Sequence, residues 1–416
     1  MVAGIIIGAS IFVQPSEISR HVPSVGGVLG AWIAAGILTL FGALVCAELS
    51  VAFPRTGGVY VFLKETLSPA FGFLWGWAMF WSVHSGIIAA SSAIFARYAG
   101  FFIPLTDAET RVVAVAGILT ISAINYVGVR QGSTLQTIVT SAKIVAIALL
   151  LAMVGIFGHR AAAGPIPTQS AITLREFALA VSAGLFAFGG WHMVTYAAGE
   201  TREPGKTIPR ALLIGVLLVT ACYVALNAAY LYLLPLDKVI ASTRVAADAA
   251  SAMAGSGAAA SISGIVILSS LGVLNGVILA GPRMYYAMAQ EGLAFPWLGR
   301  IHPRFHTPHI AIAFQALWSS FLVATGTYRE LFTRVVYTEW LFFALMAVGL
   351  LRLRRRKNPL IPLLFIVASI AVALIQISAN PRQAASGIIL VLLGLPVYFF
   401  WTRKNQPGIL ANNANH

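Results

Sequence analysis

Apolar runs of about 20 residues recur along almost the whole chain, separated by short stretches that hold most of its Pro, Lys, Arg, Asp and Glu. About 20 apolar residues is the length a helix needs to cross the hydrocarbon core of a bilayer. The pattern predicts twelve spans, over 1–21, 27–53, 69–99, 111–128, 134–157, 176–199, 208–234, 258–289, 309–326, 330–351, 360–379 and 385–402. A polar, amphipathic stretch over 237–254 predicts a short surface helix. No long linker or soluble domain interrupts the series, and the tail from Gln406 reads as unstructured.

Two of these spans are broken near their middles by glycine. The first reads Gly4-Ile5-Ile6-Ile7-Gly8-Ala9-Ser10-Ile11-Phe12, the second Gly184-Leu185-Phe186-Ala187-Phe188-Gly189-Gly190-Trp191. Glycine weakens a helix interior, having more backbone freedom to lose and no side chain to pack. In lipid the freed N–H and C=O groups need partners, so a broken helix survives where it lines a protected cavity. Two such breaks point to a substrate site at the bilayer midplane and to a secondary transporter. The chain then divides into helices 1–5 over 1–157, helices 6–10 over 176–351, and helices 11–12 over 360–402, the first two sets each opening on a broken segment. That is the correspondence an inverted 5+5 repeat shows.

Composition agrees with an all-α integral membrane protein: 59% of residues are hydrophobic, 10% are charged and the mean hydropathy is +0.86. The net charge of +14 is spread over short loops, without the continuous basic groove and aromatic platforms that bind nucleic acid. Its distribution sets an orientation. With the N-terminus inside, sixteen of the 27 Lys and Arg fall in inner loops, the run Arg354–Lys357 among them, and ten in outer loops. Both termini are therefore expected in the cytoplasm. Cys46 and Cys222 lie inside spans and read as packing residues, not as a disulfide pair. His302, His306 and His309 share a Pro-rich loop with no Cys or acidic ligand close by, so neither a metal nor a cofactor is expected. No nucleophile–base pair suggests an enzyme. No cleavable signal peptide is evident. Only about 13 apolar residues precede Gln14, fewer than a full span needs at about 1.5 Å per residue. Either helix 1 is a half-helix with a re-entrant turn, or the natural start lies upstream of Met1.

Several stretches, in order, resemble the amino acid–polyamine–organocation superfamily and, within it, the L-type amino acid transporters. They are GIIIGASIF in helix 1, AELSVAFPRTGGVYVFLKETLSPAFGFLWGW across helices 2 and 3, TSAKIVAIALL in helix 5, GLFAFGGW followed by GETREPGKTIPRA after helix 6, and LGVLNGVILAGPRMYYAMAQEGLAFPWLGRIHP from helix 8 onward. The resemblance covers nearly the whole chain. It implies the leucine-transporter fold, alternating access and sodium-independent amino acid transport, commonly by exchange. Animal members of the family bind a heavy chain through an outer-loop cysteine. No loop cysteine occurs here, so no disulfide-linked heavy chain is expected, and a monomer or weak homodimer is.

The same resemblance assigns site residues. A substrate carboxylate would rest on the amides around Gly8, Ala9 and Ser10, at the N-terminal end of a half-helix whose free N–H groups favour an anion. The ammonium would meet the carbonyls of Ile6, Phe186 and Gly189, with Gly190 completing the second break. Alternatively these glycines let helices pack closely. Ser10 departs from the family, which usually has glycine there, and either narrows the carboxylate end or adds a hydroxyl donor. Phe186 stands where the family places an outer gate, or else packs as an ordinary aromatic. Trp191 and His192 follow the break and are candidates to line the side-chain pocket, as are Asn275 and Glu339, although a lone histidine in a span is more often a packed, hydrogen-bonded residue. Lys143 is the single Lys or Arg near the middle of a span, the others lying at span ends or in loops. A buried ammonium needs acceptors, and by resemblance this one takes the place of the sodium ion in sodium-coupled relatives; otherwise it snorkels to the helix end. Glu200, Arg202, Glu203, Lys206 and Arg210 form a mixed-charge inner loop, either a gate or a solvated turn. Neutral amino acids are the expected substrates, while Glu339 leaves room for a cationic amino acid or a polyamine. A proton-coupled permease and an amino acid sensor that moves nothing remain the rivals.

Overall fold

A computed structural model describes residues 2–159, 172–326, 328–353 and 358–402. Arg354–Lys357, Arg160, Arg403, Lys404 and the tail from Gln406 lie outside the described residues, as do the side chains of Arg130, Glu200, Arg329 and Arg334.

All regular elements among the described residues are helical. The first predicted span is α1 (Val2–Ile6), a 3-10 turn (Ala9–Phe12) and α2 (Gln14–His21). Then follow α3 (Val25–Ala52), α4 (Val59–Thr66), α5 (Pro69–Ala78) continued through a π turn (Met79–His84) into α6 (Ser85–Ala99), α7 (Asp107–Val127) and α8 (Val129–Phe157). The second broken span is α9 (Leu174–Ala187) and a 3-10 helix (Trp191–Glu200). The rest are α10 (Pro204–Leu233), α11 (Leu236–Ala241), α12 (Val245–Gln290), a 3-10 turn (Pro296–Gly299), α13 (His309–Thr325), α14 (Tyr328–Arg352), α15 (Leu360–Ala379) and α16 (Pro381–Leu392). Nine helices among the described residues are long and apolar enough to cross a membrane, and Lys143–Phe157 and His309–Thr325 are shorter apolar helices. With so many apolar spans in one chain, this is a membrane protein.

Local chemistry explains the starts. Ser24 caps α3 by accepting the Gly27 N–H at 3.0 Å, and Thr106 with Glu109 forms a reciprocal capping box on α7. Two differences from the sequence pattern stand out. The loop predicted over 54–68 contains α4, entered through Gly57 and Gly58 at φ +121° and +52°, which glycine adopts without strain. The surface helix predicted over 237–254 is instead two pieces, α11 and the first turns of α12, which bends at Ala254 and at Gly255, φ +77°.

Large apolar side chains point outward as well as inward. Ile156, Leu174, Leu317, Val367 and Phe400 are mostly exposed, as lipid-facing residues must be. The two ends of the bundle are marked by polar contacts. At one, His21 Nδ1 on α2 lies 2.7 Å from the Glu176 carboxylate on α9. At the other, Glu291 at the end of α12 accepts Lys64 Nζ of α4 at 2.8 Å and the Tyr60 hydroxyl.

Candidate functional site

Both glycine breaks are real interruptions. In the first, α1 closes with Ile7 N–H on Ala3 O at 2.8 Å, and Gly8 then runs extended into the 3-10 turn. In the second, Gly189 N–H bonds Phe186 O at 3.1 Å, and Gly190 takes the left-handed conformation at φ +89°. A Cβ on Gly190 would also stand 2.9 Å from Ile5 Cγ2, so the second break packs directly on the first.

Two side chains from neighbouring helices fasten the breaks. Tyr223 of α10 shares its hydroxyl proton between Ile6 O at 2.9 Å and Ala187 O at 3.0 Å, one acceptor from each broken segment. Trp32 and Phe188 pack its ring at 5.3 Å and 5.0 Å between centroids. Lys143 of α8 donates Nζ to Ile7 O at 3.0 Å and is 2% exposed. The lysine therefore turns inward to the first break and does not snorkel. Beyond it, the Tyr98 hydroxyl bonds Phe12 O at 3.0 Å.

Between the breaks lies a cavity of ≈ 40 Å³. Ile6, Gly8, Ala9, Ser10, Gly189 and Gly190, from the two breaks, line one side together with Phe186. Ile87, Val273, Val277 and Val335 close it, with the hydroxyls of Ser10 and Ser91 as polar side chains and none that is charged. The lining thus pairs exposed main chain, suited to a zwitterion, with an apolar wall suited to a small uncharged side chain.

Seven of the twelve predicted site residues meet at this cavity: Ile6, Gly8, Ala9, Ser10, Phe186, Gly189 and Gly190. Lys143 stands beside it on Ile7 O. Ile6 O and Phe186 O accept hydrogen bonds from the Tyr223 hydroxyl and the Gly189 N–H.

Four predicted residues lie elsewhere, for geometric reasons. Three residues make one turn of a 3-10 helix, so Gly190 and Met193 share the cavity face while Trp191 and His192 point away. His192 is enclosed by Trp75, Trp191, Tyr196 and Phe343. Asn275 sits on α12 between the cavity residues Val273 and Val277, turned toward α7, where its Oδ1 accepts Asn125 Nδ2 at 2.8 Å. Glu339 lies one turn beyond Val335 on α14 and is buried off the cavity. Conversely, the sequence pattern did not single out Tyr223, Ser91 or Ile87. A lone tyrosine inside the apolar run Leu217–Ala225 was the available signal, since a buried hydroxyl seeks an acceptor.

The mixed-charge loop after the second break holds one exposed pair, Lys206 with Glu203 at 3.2 Å. Such pairs contribute little. A firmer closure lies at the Glu291 end, where Tyr60 and Lys64 meet one carboxylate and Arg55 pairs with Glu65 at 3.0 Å. Burial, and then the Glu291 carboxylate, push the Tyr60 phenol up, so it stays a donor across the working pH range. Cys46 and Cys222 are free thiols, and no cluster of His, Cys, Asp and Glu fit to hold a metal occurs among the described residues. His302 Nδ1 instead accepts the backbone N–H groups of Arg304 and Phe305 at 3.2 Å, shaping its own loop.

Residues 1–406 match the family model described as amino acid permease. The chain is 31% identical to the serine/threonine exchanger SteT of Bacillus subtilis, over 96% of this chain and 94% of that one. It is 29% identical to the human b(0,+)-type amino acid transporter 1, over 96% of this chain and 86% of the relative, and 28% identical to the human cystine/glutamate transporter, over 97% and 84%.

Proposed function

The chain belongs to the amino acid permease family of membrane transporters, and on that premise we propose that it exchanges small neutral amino acids across the cytoplasmic membrane without sodium. The observation that carries this reading is the cavity between the two breaks, with bare main chain on one side and an uncharged wall on the other. The carboxylate rests on the amides of Gly8, Ala9 and Ser10, and the ammonium faces the carbonyls of Ile6, Phe186 and Gly189. Phe186 covers the substrate on the His21 side. Lys143 supplies to the Ile7 carbonyl the positive charge that a sodium ion would otherwise bring.

Twelve spans in two inverted sets of five, with helices 11 and 12 outside them, are the architecture that fits alternating access. Broken helix 1, α8 and α13 add to the nine long apolar spans. Both termini and the Glu291 end face the cytoplasm, a placement supported by the Lys and Arg bias of the loops. With both cysteines inside spans, the protein works without a disulfide-linked heavy chain, as a monomer or weak homodimer.

Proton-coupled uptake is the second reading, favoured by the buried ammonium of Lys143. Reconstitution separates the two. Uptake of labelled serine, threonine, alanine and leucine is measured into vesicles preloaded with unlabelled amino acid, into empty vesicles, and into empty vesicles with a pH gradient. Uptake confined to preloaded vesicles, and indifferent to sodium, is expected. Uptake driven into empty vesicles by the pH gradient would establish the second reading, and sodium stimulation would remove the role given to Lys143.

A further inference from the structure

Just beyond the cavity, toward the Glu291 end, several buried polar side chains have atoms without a hydrogen-bond partner. His84 precedes the cavity residue Ile87 by three positions, Glu339 follows Val335 by four, and His192 sits between Gly190 and Met193. One helical turn is about 5 Å, so His84 and Glu339 lie one turn from cavity residues, while His192 occupies the side of the 3-10 helix turned away from the cavity. His84 and His192 are 0% exposed and Glu339 is 3% exposed. His84 Nε2, both ring nitrogens of His192, Glu339 Oε1 and both amide atoms of Gln315 have no hydrogen-bond partner. They belong together in space. A Cβ on Gly281 would touch His84 Nδ1 at 3.0 Å and the Gln315 amide at 2.9 Å. Tyr196 lies against both histidines, 6.3 Å from His84 and 5.7 Å from His192 between ring centroids. Phe343, one turn after Glu339 on α14, packs on His192 at 5.2 Å.

A buried, unpaired polar atom costs about 1–3 kcal/mol, and this many in one place point to an occupant. No apolar occupant would satisfy them, and no group fit to hold a metal occurs among the described residues. The surroundings of His192 are aromatic, and those of Glu339 leave a buried carboxylate oxygen unpartnered, which favours a proton there. The His192 imidazole is ringed by Trp75, Trp191, Tyr196 and Phe343 at 5.2–5.7 Å, their planes tilted 63–85° to its own. Glu339 stands one turn before Phe343 on α14, so water between it and His192 gives a proton two neighbouring seats. The other titratable groups facing the cluster are a thiol and two phenols: Cys46 of α3, Tyr196 of the 3-10 helix and Tyr285 of α12, whose hydroxyl lies 3.1 Å from His84 Nδ1. Tyr60 of α4 is held by Glu291.

We propose that His84, His192 and Glu339 form a buried proton-binding site beneath the amino acid cavity, bridged by water, whose occupancy sets the rate of exchange. The proton passes from hydronium to an imidazole nitrogen or to the Glu339 carboxylate and returns to water, with no other bond made or broken. A bound proton takes the site from a single net negative charge to zero, so it removes an attraction on the nearby substrate ammonium and slows loading from that side. Only this kinetic consequence rests on the exchange reading.

The test uses the full chain in lipid nanodiscs, labelled with ¹⁵N-histidine and ¹³C-glutamate. Signals of His84, His192 and Glu339 are assigned by their loss in H84Q, H192N and E339Q. Between about pH 8 and about pH 5 at least one of the three is expected to change protonation, with the His192 midpoint displaced in E339Q. Neutral imidazoles and an unchanging Glu339 signal throughout that range overturn the site. In preloaded vesicles, lowering the internal pH from about 7.5 to about 5.5 is expected to slow exchange about threefold, with the ratio of the two rates close to one in H192N or E339Q. An unchanged ratio in both variants overturns the kinetic role. Absence of exchange by the wild type would instead defeat the exchange reading, while the resonance titration still decides the proton site.

Discussion

Single residues decide how the two breaks behave. Tyr223→Phe removes one oxygen and leaves Ile6 O and Ala187 O without their shared donor. Two buried acceptors then lose a partner worth about 1–3 kcal/mol each. We expect the variant to fold but to exchange at least about tenfold more slowly, a loss equivalent to about 1.4 kcal/mol; wild-type rates would refute the fastening role. Lys143→Ala strips the ammonium from Ile7 O and is expected to abolish uptake, with or without added sodium. Gly190→Ala asks an L side chain to sit at φ +89° with Ile5 2.9 Å away. A destabilisation of about 1–3 kcal/mol should appear as a lower melting temperature in detergent. The sequence made Lys143 and Gly190 conspicuous, because a charge or paired glycines in an apolar run contradict the run. Tyr223 was not conspicuous, since a tyrosine among Leu, Val and Ala looks the same whether it packs or bonds.

Secondary elements were legible where they are long and uniform. The predicted edges of the long spans fall within a few residues of α3, α10 and α15. What hydrophobic periodicity could not supply was helix type. The stretch after Gly190 coils with three residues per turn, and that single change decides between the two readings of His192, setting it in an aromatic box. Nor did a pattern rich in Pro, Arg and Gly announce α4, whose start depends on two left-handed glycines and whose place depends on Glu291. The α4–α12 contact makes its own prediction. Glu291→Gln leaves Lys64 without a countercharge and weakens the closure at that end. A cysteine placed at Ser91, on an otherwise cysteine-less background, should then label faster from that side with a small aqueous reagent. Tyr60→Phe should act in the same direction and equally at pH 6 and pH 9, because the phenol, pushed up by burial and by Glu291, is protonated at both. Labelling rates that do not change would show that closure lies elsewhere.

At the scale of the molecule, membrane residence was readable from composition and from the spacing of polar stretches, whereas the meeting of α6, α12 and α14 around the cavity came only from packing over long sequence separations. Orientation is open to direct test. With the proposed topology, a cysteine at Thr106 reacts with a membrane-impermeant reagent in intact cells and one at Thr66 does not; the opposite pattern inverts the assignment. One detail has a consequence for the whole cycle. A hydroxyl carries one hydrogen, yet Tyr223 serves two carbonyls with it. The two breaks thus share one hydrogen through Tyr223, and a substrate ammonium would bring three. On the exchange reading, the cargo completes the wiring of the machine that moves it. The vacant form is then the costly one to turn over, and leak is suppressed without a dedicated lock. A 2-hydroxy acid, identical in shape but delivering one hydrogen in place of three, should occupy the cavity as an inhibitor and fail as a counter-substrate.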